Sequence, residues 1–373
     1  MTREAQVDDQ GIVTPRDGAE VVARPVSQPT MRDVAARAGV SKALVSVVFR
    51  NAPGASDQTR ARVLEAAEQL GYRHNRTASR LALRRTRLLG VTMSLRNTFH
   101  AELVEELQAA AAEHDYDIAI STVTPTRDER RAIDRLLEFR TEGLILLGTE
   151  IPTTTLSALG RQLPVVVVGR RVESPTVDVV RTDDVTGMGL AVDHLIDLGH
   201  RRITHVDGGS GMIASDRRRG YRRAMRRRGL DDHAKVIPGD YTEEAGIRAA
   251  QLLLDADRLP TGIVAVNDRC AIGILDGLVR AGVDVPGTIS VVGYDDNIIS
   301  RLAYVNLTTV SQEPQQQARH AVAAALDRLD GGRTTPANTV LPPRLVVRGT
   351  TGPAVRASND SATHLRDATV GQR

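Results

Sequence analysis

Short apolar runs alternate with amphipathic stretches along the chain from residue 88 onward. Seven runs have the length and composition of buried β-strands: LLGVTMS (88–94), DIAIST (117–122), GLILLG (143–148), VVVVG (165–169), RITHVDG (202–208), GIVAVN (262–267) and ISVVGY (289–294). Between them, apolar residues recur at helical spacing near 101–114, 128–140, 186–198, 214–229, 243–256 and 268–281. This alternation predicts a parallel, doubly wound sheet. More than 260 residues exceed one comfortable core, so we expect two such lobes, with the first crossing between them at Gly199.

Three shorter helices are predicted before the first strand run. A capping-box variant at Thr30 and Asp33 begins the first helix, and Gly39 ends it. Ser41 caps the second helix and Ser56 the third. Two short helices joined by a tight turn that contains glycine indicate a helix-turn-helix. The residues expected to share one small core are Val34, Ala35, Ala38, Val45, Val48, Phe49, Val63, Leu64, Ala67 and Leu70.

Positive charge is concentrated in this helical segment. Between Thr30 and Gly90 there are twelve Lys or Arg against four Asp or Glu, a local balance of +8. The whole chain carries +3, so the remainder sums to −5, which is 3 minus 8. A compact unit with this balance is typical of a nucleic-acid-binding module. Arginine abundance alone is not the argument, since only two of the 49 basic residues are lysine, a bias that a GC-rich genome produces.

The same segment carries a family resemblance. The runs DVAARAGVSKALVSVV, SDQTRARVLEAAEQLGY and NRTASRLA resemble the DNA-binding headpiece and hinge of the lactose-repressor (LacI/GalR) family of bacterial transcription regulators. The resemblance extends without a gap over about sixty residues. It implies a second helix lying in the major groove of double-stranded DNA. The implied headpiece contacts to bases and phosphates are Thr30, Ser41, Lys42, Ala43, Ser46, Val47 and Arg50.

Three headpiece positions depart from the family pattern. Family members usually carry Thr, Arg and Asn where this chain has Leu44, Val47 and Arg50. An arginine on a guanine contributes about 1–3 kcal/mol of discrimination, whereas Val47 offers only apolar contact, for example to a thymine methyl. The resemblance therefore implies DNA binding but not the usual operator sequence. Lys42 is the best candidate for reading a guanine, and a phosphate contact is an equally supported alternative.

Residues 75–84, NRTASRLALR, resemble the family's hinge, which becomes helical when two copies meet in the minor groove. Asn75 and Arg76 are the implied hinge contacts, and Leu81 is the implied wedge between base steps. The family's proline before the asparagine is His74 here, which loosens the entry to the hinge. The alternative for Leu81 is packing against the following domain.

The remainder resembles the family's effector domain, itself similar to periplasmic sugar-binding proteins. The phrases that carry this resemblance are NTF (97–99), EGLILLG (142–148), DLGHRRI (197–203), RRRGY (217–221), VNDRCAIG (266–273) and ISVVGYDD (289–296). In that fold the chain crosses between the lobes three times. The resemblance implies that residues 312–332 return to the first lobe and that a final strand near 345–348 returns to the second.

Polar side chains stand where the apolar strand runs end, namely at Asn97, Asp207, Asn267, Asp268, Asp295 and Asp296. Ligands of open α/β sheets bind outside the carboxyl ends of the strands, so facing lobes would place these groups around one cleft. Carboxylate, amide and guanidinium groups can each pair with adjacent hydroxyls, which favours a sugar as the effector.

The resemblance selects six of the candidate effector contacts: Arg217, Asn267, Asp295, Asp184, Tyr241 and Gln312. Asn97 joins them as a strand-end residue, and Phe99 and Tyr241 could supply an apolar face for the ligand. The alternatives to ligand binding are structural roles. Helix capping is the interpretation that we favour for Asp268 and Asp296, and a surface ion pair is the alternative for Arg217.

Patterns for catalysis and metal binding are weak. GGSG (208–211) lacks the spacing of a nucleophile elbow, and GMGLAV (187–192) has two of the three glycines of a dinucleotide fingerprint. His194, His200 and His205 do not share a face with metal spacing, and Cys270 is expected in the core. We therefore expect no enzymatic activity, no metal site and no cofactor.

The expected domains are a disordered tail (1–29), the headpiece (30–74), the hinge and linker (75–87), a two-lobed effector-binding and dimerisation domain (88–352) and a second disordered tail (353–373). The sequence has no apolar stretch typical of a secretion signal or membrane span, and its single cysteine suits the cytoplasm. The last segment has no leucine heptad, so a homodimer is the default assembly.

Two functions remain in competition. The favoured one is a sequence-specific transcriptional regulator, a repressor, that binds a palindromic operator as a homodimer and responds to a sugar held between two lobes. The alternative is a solute-binding protein or an α/β enzyme whose N-terminal helices are an oligomerisation appendage. The basic headpiece and the lack of an export signal favour the regulator.

Overall fold

The computed structural model describes residues 29–49, 52–72 and 85–355. The chain divides into two compact units, residues 1–82 and residues 83–373. The described residues of the first unit form three helices, α1 (Met31–Ala38), α2 (Lys42–Phe49) and α3 (Asp57–Gln69). Its core consists of Val34, Ala35, Ala38, Val45, Val48, Val63, Ala66 and Ala67.

The helix ends in the first unit follow the predicted signals. Thr30 and Asp33 form a reciprocal capping box, and Gly39 ends α1 in the left-handed conformation. The Ser41 hydroxyl accepts a hydrogen bond from the Leu44 amide at 3.2 Å, which caps α2. One predicted core residue is wrong, because Leu64 is 52% exposed. Successive helical residues are rotated by about 100°, so Val63 faces the core and its neighbour does not.

The second unit is built from two parallel-sheet lobes. Its strands are β1 (Leu88–Ser94), β2 (Asp117–Val123), β3 (Gly143–Leu147), β4 (Val165–Val168), β5 (Val177–Thr182), β6 (Ile203–Val206), β7 (Lys235–Ile237), β8 (Gly262–Ala265), β9 (Ser290–Asp295), β10 (Thr308–Ser311), β11 (Asn338–Leu341) and β12 (Arg344–Val346). Its helices are α4 (Thr98–Ala112), α5 (Glu129–Glu138), α6 (Thr153–Gly160), α7 (Asp184–Asp197), α8 (Met212–Arg227), α9 (Glu243–Leu254), α10 (Asp268–Arg280) and α11 (Pro314–Leu329).

Each lobe is one sheet between two helical layers. The first sheet has the strand order β11-β5-β4-β3-β1-β2, and every neighbouring pair in it is parallel. The second has the order β12-β10-β9-β8-β6-β7, and only β12 runs antiparallel to its neighbour. Separate apolar clusters cover the two faces of each sheet. The predicted doubly wound, two-lobed fold is therefore confirmed.

Between residues 85 and 355 the chain crosses between the lobes three times, and one crossing lies elsewhere than predicted. The first crossing follows β5, at Thr182 and Asp183, and not at Gly199. The reason is that α7 packs on the second lobe, where Met188 and Leu195 belong to the cluster around Tyr221. The second crossing joins β10 to α11, and the third joins β11 to β12.

Candidate functional sites

One face of α2 is open to solvent in the first unit. Lys42 and Ala43 are exposed, and Ser46 and Val47 one turn later are half-buried. The opposite face of the same helix carries the core residue Val45. The candidate base-contacting residues of the sequence analysis therefore share one helical face, and Thr30 and Ser41 stand at the N-termini of α1 and α2. The remaining candidates, Arg50, Asn75, Arg76 and Leu81, lie outside the described residues.

A cleft separates the two lobes of the second unit, at the carboxyl ends of their strands. Its cavity has a volume of about 40 Å³, room for only a few water molecules. The residues that line it are Asn97, Phe99, His100, Leu103, Leu147, Gly148, Val168, Gly169, Ile213, Arg217, Tyr241, Asp295, Gln312 and Gln317. Six of the eight candidate effector residues are in this set, and Asp184 and Asn267 are not.

Arg217 is the central cation of the cleft. It projects from α8 and is only 3% exposed, which excludes the alternative of a surface ion pair. Its Nε donates to Asp184 Oδ1 at 2.9 Å, and its Nη1 donates to the Val266 carbonyl at 2.6 Å. The guanidinium also lies over the Tyr294 ring at 3.7 Å from the centroid. Every one of these contacts fixes the direction in which its remaining N–H groups point.

Asp295 is the lining residue that places a carboxylate beside that cation. Its Oδ1 accepts a hydrogen bond from Gln312 Nε2 at 2.6 Å and lies 3.7 Å from Arg217 Nη1. Burial raises the pKa of Asp295 to about 7, although the Arg217 charge acts in the opposite direction. Burial likewise raises the pKa of Asp184. For Arg217, burial alone would lower the pKa, but the charges of the two carboxylates outweigh it and the pKa rises.

Two predicted contacts sit one layer behind the lining. Asp184 reaches the cleft only through Arg217. The Asn267 side chain caps α10 by accepting from the Cys270 amide at 2.9 Å, and it donates to the Tyr241 carbonyl at 3.3 Å. Both groups therefore position lining residues in this conformation.

Two polar side chains of the lining, those of His100 and Gln317, were missed by the sequence analysis. His100 lies in the first turn of α4, and its Nδ1 accepts from the Ser94 amide at 3.2 Å. Gln317 in α11 donates to the Gln312 carbonyl at 2.8 Å and to Thr182 Oγ1 at 3.0 Å. Neither is a strand-end residue. His100 could have been found because it lies three residues after Asn97, within the same first helical turn.

Asp268 and Asp296 are not helix caps, which corrects the favoured reading. The caps at those positions are Asn267 and Asn297. Asp268 is fully buried and accepts from the Asn297 amide at 2.9 Å and from Thr309 Oγ1 at 2.5 Å. Asp296 pairs with Arg348 at 2.5 Å. Amides at both caps leave the adjacent carboxylates, Asp268 and Asp296, free to connect neighbouring loops and strands.

The remaining candidate groups of the sequence analysis have structural partners. His194 bonds Thr351, His200 bonds the Gly352 carbonyl and His205 bonds the Val264 carbonyl. Cys270 is a buried free thiol. Within residues 29–49, 52–72 and 85–355, no group of three or more His, Cys, Asp or Glu side chains could hold a metal ion. In the same ranges no helix combines the length and the apolarity that crossing a membrane requires.

Polar contacts join the lobes on both sides of the cleft. On one side, Glu102 accepts from the Ile298 amide at 2.7 Å, and Asn297 donates to Thr98 Oγ1 at 3.2 Å. On the other side, Arg171 pairs with Asp216 at 2.9 Å. With the small cavity, these contacts describe a closed cleft.

Comparison with known proteins identifies the family. Residues 30–75 match the model for bacterial regulatory proteins of the lacI family, and residues 192–351 match a periplasmic binding protein-like domain. The repressor CytR of Escherichia coli (strain K12) is 31% identical over 330 residues, which are 86% of this chain and 96% of that protein. The chain belongs to the lacI family of bacterial regulatory proteins. CelR of Thermobifida fusca, a transcriptional regulator, is likewise 31% identical, over 86% of this chain and 98% of that protein.

Solved structures of lacI-family proteins share this fold. A LacI transcriptional regulator from a Rhodococcus species is 46% identical over 72% of this chain and 100% of its own, with a TM-score of 0.70. The lac repressor dimer bound to operator is 28% identical over 87% of this chain and 99% of its own, with a TM-score of 0.74. These relatives are regulators, so this lacI-family chain is a DNA-binding transcriptional regulator, and the expectation that it is not an enzyme is confirmed.

Proposed function

We propose that this regulator is a repressor whose hold on a palindromic operator is controlled by a sugar bound in the cleft between its two lobes. The observation that carries the sugar assignment is the pairing of Arg217 with Asp295 in a buried cleft that also contains Asn97 and Gln312. Alternating donors and acceptors can bond neighbouring hydroxyls of one ligand. The CelR regulator was solved as a complex with cellobiose, which supports a carbohydrate for this chain as well.

Closure of the cleft implies how the effector acts. A cavity of about 40 Å³ is far below the ~300–1,000 Å³ of a typical ligand pocket, so a sugar enters only when the lobes separate. Separation must break the contacts of Arg171 with Asp216 and of Glu102 with the Ile298 amide. Binding therefore changes the angle between the lobes. In a homodimer that change alters the free energy of bringing two hinges (75–87) together on DNA, with a coupling of ~1–3 kcal/mol.

The headpiece, for which we propose residues 30–74, would place α2 in the major groove. Lys42 and Ala43 on the exposed face would meet base edges, together with Val47. Thr30 and Ser41 at helix N-termini suit phosphate oxygens. Two copies related by a two-fold axis would read half-sites about one helical turn apart.

Fluorescence anisotropy on operators selected from genomic DNA tests the DNA half of the proposal. With six or more phosphate contacts, affinity should fall about 10³-fold or more between 50 and 200 mM salt. Lys42→Ala should reduce the slope of log affinity against log salt by about 1 if Lys42 contacts phosphate, or relax the preference at one base pair if it reads guanine. Binding that is absent, or that ignores salt, contradicts the proposal.

A thermal-shift screen tests the sugar half. D-ribose, D-glucose, D-galactose, lactose and cellobiose serve as probes, since a ligand of the native state raises the apparent stability by mass action. A sugar at 100 times its Kd should stabilise the protein by about 2.7 kcal/mol and change its affinity for the selected operator. If none of the probes alters either quantity, the sugar assignment is wrong while the DNA assignment stands.

A further inference from the structure

The first-lobe wall of the cleft contains His100, one of whose two ring nitrogens already has a hydrogen-bond partner in the protein. His100 Nδ1 accepts a hydrogen bond from the Ser94 backbone amide at 3.2 Å. An amide N–H is always a donor, so Nδ1 must carry a lone pair. In a neutral imidazole the proton then resides on Nε2. A backbone contact thus fixes which tautomer this side chain adopts.

Burial keeps that imidazole neutral. His100 is buried, and desolvation lowers its pKa to about 4, so it carries no charge at physiological pH. A charged ring would also require a proton on Nδ1, which would oppose the Ser94 amide. The two observations agree that His100 presents one N–H donor and no acceptor on its Nε2 side.

The Nε2 edge of His100 borders the cavity. A Cβ placed on Gly148 would lie 3.1 Å from His100 Nε2, so this nitrogen is directed toward a glycine that also lines the cleft. Among the described residues, Nε2 has no hydrogen-bond partner in the protein. Nε2 is not among the buried side-chain atoms that lack a partner, so it is accessible from the cleft, and an acceptor atom of a ligand there can bond it.

Asn97 gives the same wall a second donor. Its Oδ1 accepts from the Phe99 amide at 3.1 Å, and its NH₂ group is the donor that the side chain can offer a ligand. Across the cleft, Asp295 and Gln312 retain acceptor oxygens, because Gln312 donates its NH₂ to one oxygen of Asp295. On the first lobe, His100 and Asn97 therefore supply donors, whereas Asp295 and Gln312 on the second lobe supply acceptors.

We propose that His100 is a specificity-determining residue of the effector site, a fixed N–H donor that selects ligands with a hydrogen-bond-accepting oxygen on the edge facing the first lobe. This inference rests on the proposed sugar-binding function and sets the orientation of the ligand. Hydroxyl groups that must donate face Asp295 and Gln312. Oxygens that accept, such as a ring or glycosidic oxygen or a hydroxyl lone pair, face His100 and Asn97.

Nitrogen NMR on the ligand-free full chain tests the donor state directly. The ¹⁵N shifts of His100, assigned by comparison with His100→Asn, should show the Nε2–H tautomer and no protonation between pH 5 and 8. An Nδ1–H tautomer, or a charged ring at pH 7, overturns the proposal. This measurement needs no ligand, so it remains decisive if the probe sugars fail to bind.

Two variants separate ligand selection from a structural role. The amide oxygen of asparagine can replace Nδ1 and keep the Ser94 contact, but its NH₂ is too short to reach the Nε2 position. Glutamine places its NH₂ at the Nε2 position and gives up the Ser94 contact. For the probe sugar that most stabilises wild type, His100→Asn should weaken binding about tenfold and His100→Gln less than about threefold, as one hydrogen bond predicts.

The opposite order contradicts the proposal, because a histidine that only holds the Ser94 amide would tolerate asparagine and not glutamine. Monodeoxy versions of the same sugar identify the oxygen concerned. Removing that oxygen should weaken binding to wild type about tenfold and hardly affect His100→Asn, since the pair is coupled. If every deoxy sugar loses as much affinity for His100→Asn as it loses for wild type, the proposal is also overturned. If no probe binds wild type, the sugar function fails first, and the NMR result still decides the state of His100.

Discussion

The two walls of the cleft differ in how they hold charge. The first-lobe wall has no charged lining residue and offers neutral dipoles, such as His100 and Asn97, among apolar side chains. The second-lobe wall carries Arg217 and Asp295, with Asp184 directly behind them. Charge-assisted hydrogen bonds are about twice as strong as neutral ones. A hydroxyl-bearing ligand should therefore remain attached to the second lobe while its fit to the first lobe determines how far the cleft closes.

The charged wall should be the less tolerant of substitution. Arg217→Ala leaves Asp184 and Asp295 buried without their cation, and breaking a buried pair in this way costs about 3–5 kcal/mol. Part of that cost disappears when the carboxylates take up protons. We expect a loss of about 3 kcal/mol in the free energy of unfolding and no response of operator binding to the effector. Urea denaturation and anisotropy measure the two quantities.

Arg227→Ala is the matched control on the same helix. Its partner Asp193 lies on the surface of the second lobe, and exposed pairs contribute less than ~1 kcal/mol. A stability loss at Arg217 as small as that at Arg227 would contradict the buried charge arrangement. Loss of operator binding by the folded Arg217→Ala protein would show that the residue does more than sense ligand.

On the charged wall, Asp295 was foreseeable from the strand signal that precedes it, whereas Arg217 lies inside α8 and was selected by the family resemblance. Strand β9 is fully buried, and its apolar run ends at Asp295, which lines the cleft. The neutral wall was less visible. His100 and Gln317 lie inside helices, where a polar residue is ordinarily a solvated one. Only the packing of α4 and α11 against the first sheet turns these side chains toward the cavity.

Lowering the pH should weaken ligand binding by the second-lobe wall without altering ligand binding by the first-lobe wall. Ionised Asp295 accepts from hydroxyl groups, and its pKa of about 7 means that ligand binding must displace a proton at lower pH. Effector affinity should therefore rise about tenfold from pH 6 to pH 8. Asp295→Asn should remove this dependence in calorimetric titrations. A flat profile for wild type would show that Asp295 is already ionised.

The Asp295 carboxyl affects the free energy of unfolding in the opposite direction: its contribution to stability falls as the pH rises, whereas its contribution to effector affinity increases. Its folded pKa lies above its unfolded value of 3.8, so the folded state binds more protons between pH 4 and pH 7. The contribution of Asp295 to stability is consequently greatest below pH 4 and is lost as the pH rises through 7. His100 should contribute nothing to the dependence of affinity on pH between pH 6 and pH 8, because its pKa lies at about 4.

Gly148 offers a way to disturb the neutral wall alone. It has a φ of +59°, and a Cβ there would press on His100 Nε2 at 3.1 Å. Gly209 has a φ of +90° and open space around the same position. Alanine at either site should cost about 1 kcal/mol from backbone strain, and only Gly148→Ala should also weaken binding of the probe sugar. If the two variants bind the probe sugar equally well, His100 does not contact the ligand.

Several strands escaped prediction for physical reasons that can be named. In β5 the apolar run is interrupted by Asp178, which is fully buried because Arg328 and Arg333 pair with it. The edge strands β7 and β11 are short and partly exposed, so they lack an apolar run. The hydrophobicity of the local sequence cannot show that a buried charge is neutralised by distant partners, and the partners of Asp178 are about 150 residues away in sequence.

The smallest effect should come from the contact that closes one side of the cleft. Arg171 and Asp216 join the lobes at 2.9 Å, but the Arg171 side chain is 44% exposed, so the pair contributes at most about 1 kcal/mol. Arg171→Ala should leave the unfolding free energy nearly unchanged and raise the population of the open cleft up to about fivefold. If opening precedes binding, the association rate of the sugar rises by the same factor in stopped-flow measurements. Arg135→Ala removes an ion pair confined to α5 and should leave this rate unaltered. Equal rates for wild type and Arg171→Ala would mean that other contacts between the lobes, such as those of Glu102 and Asn297, keep the cleft closed without this pair.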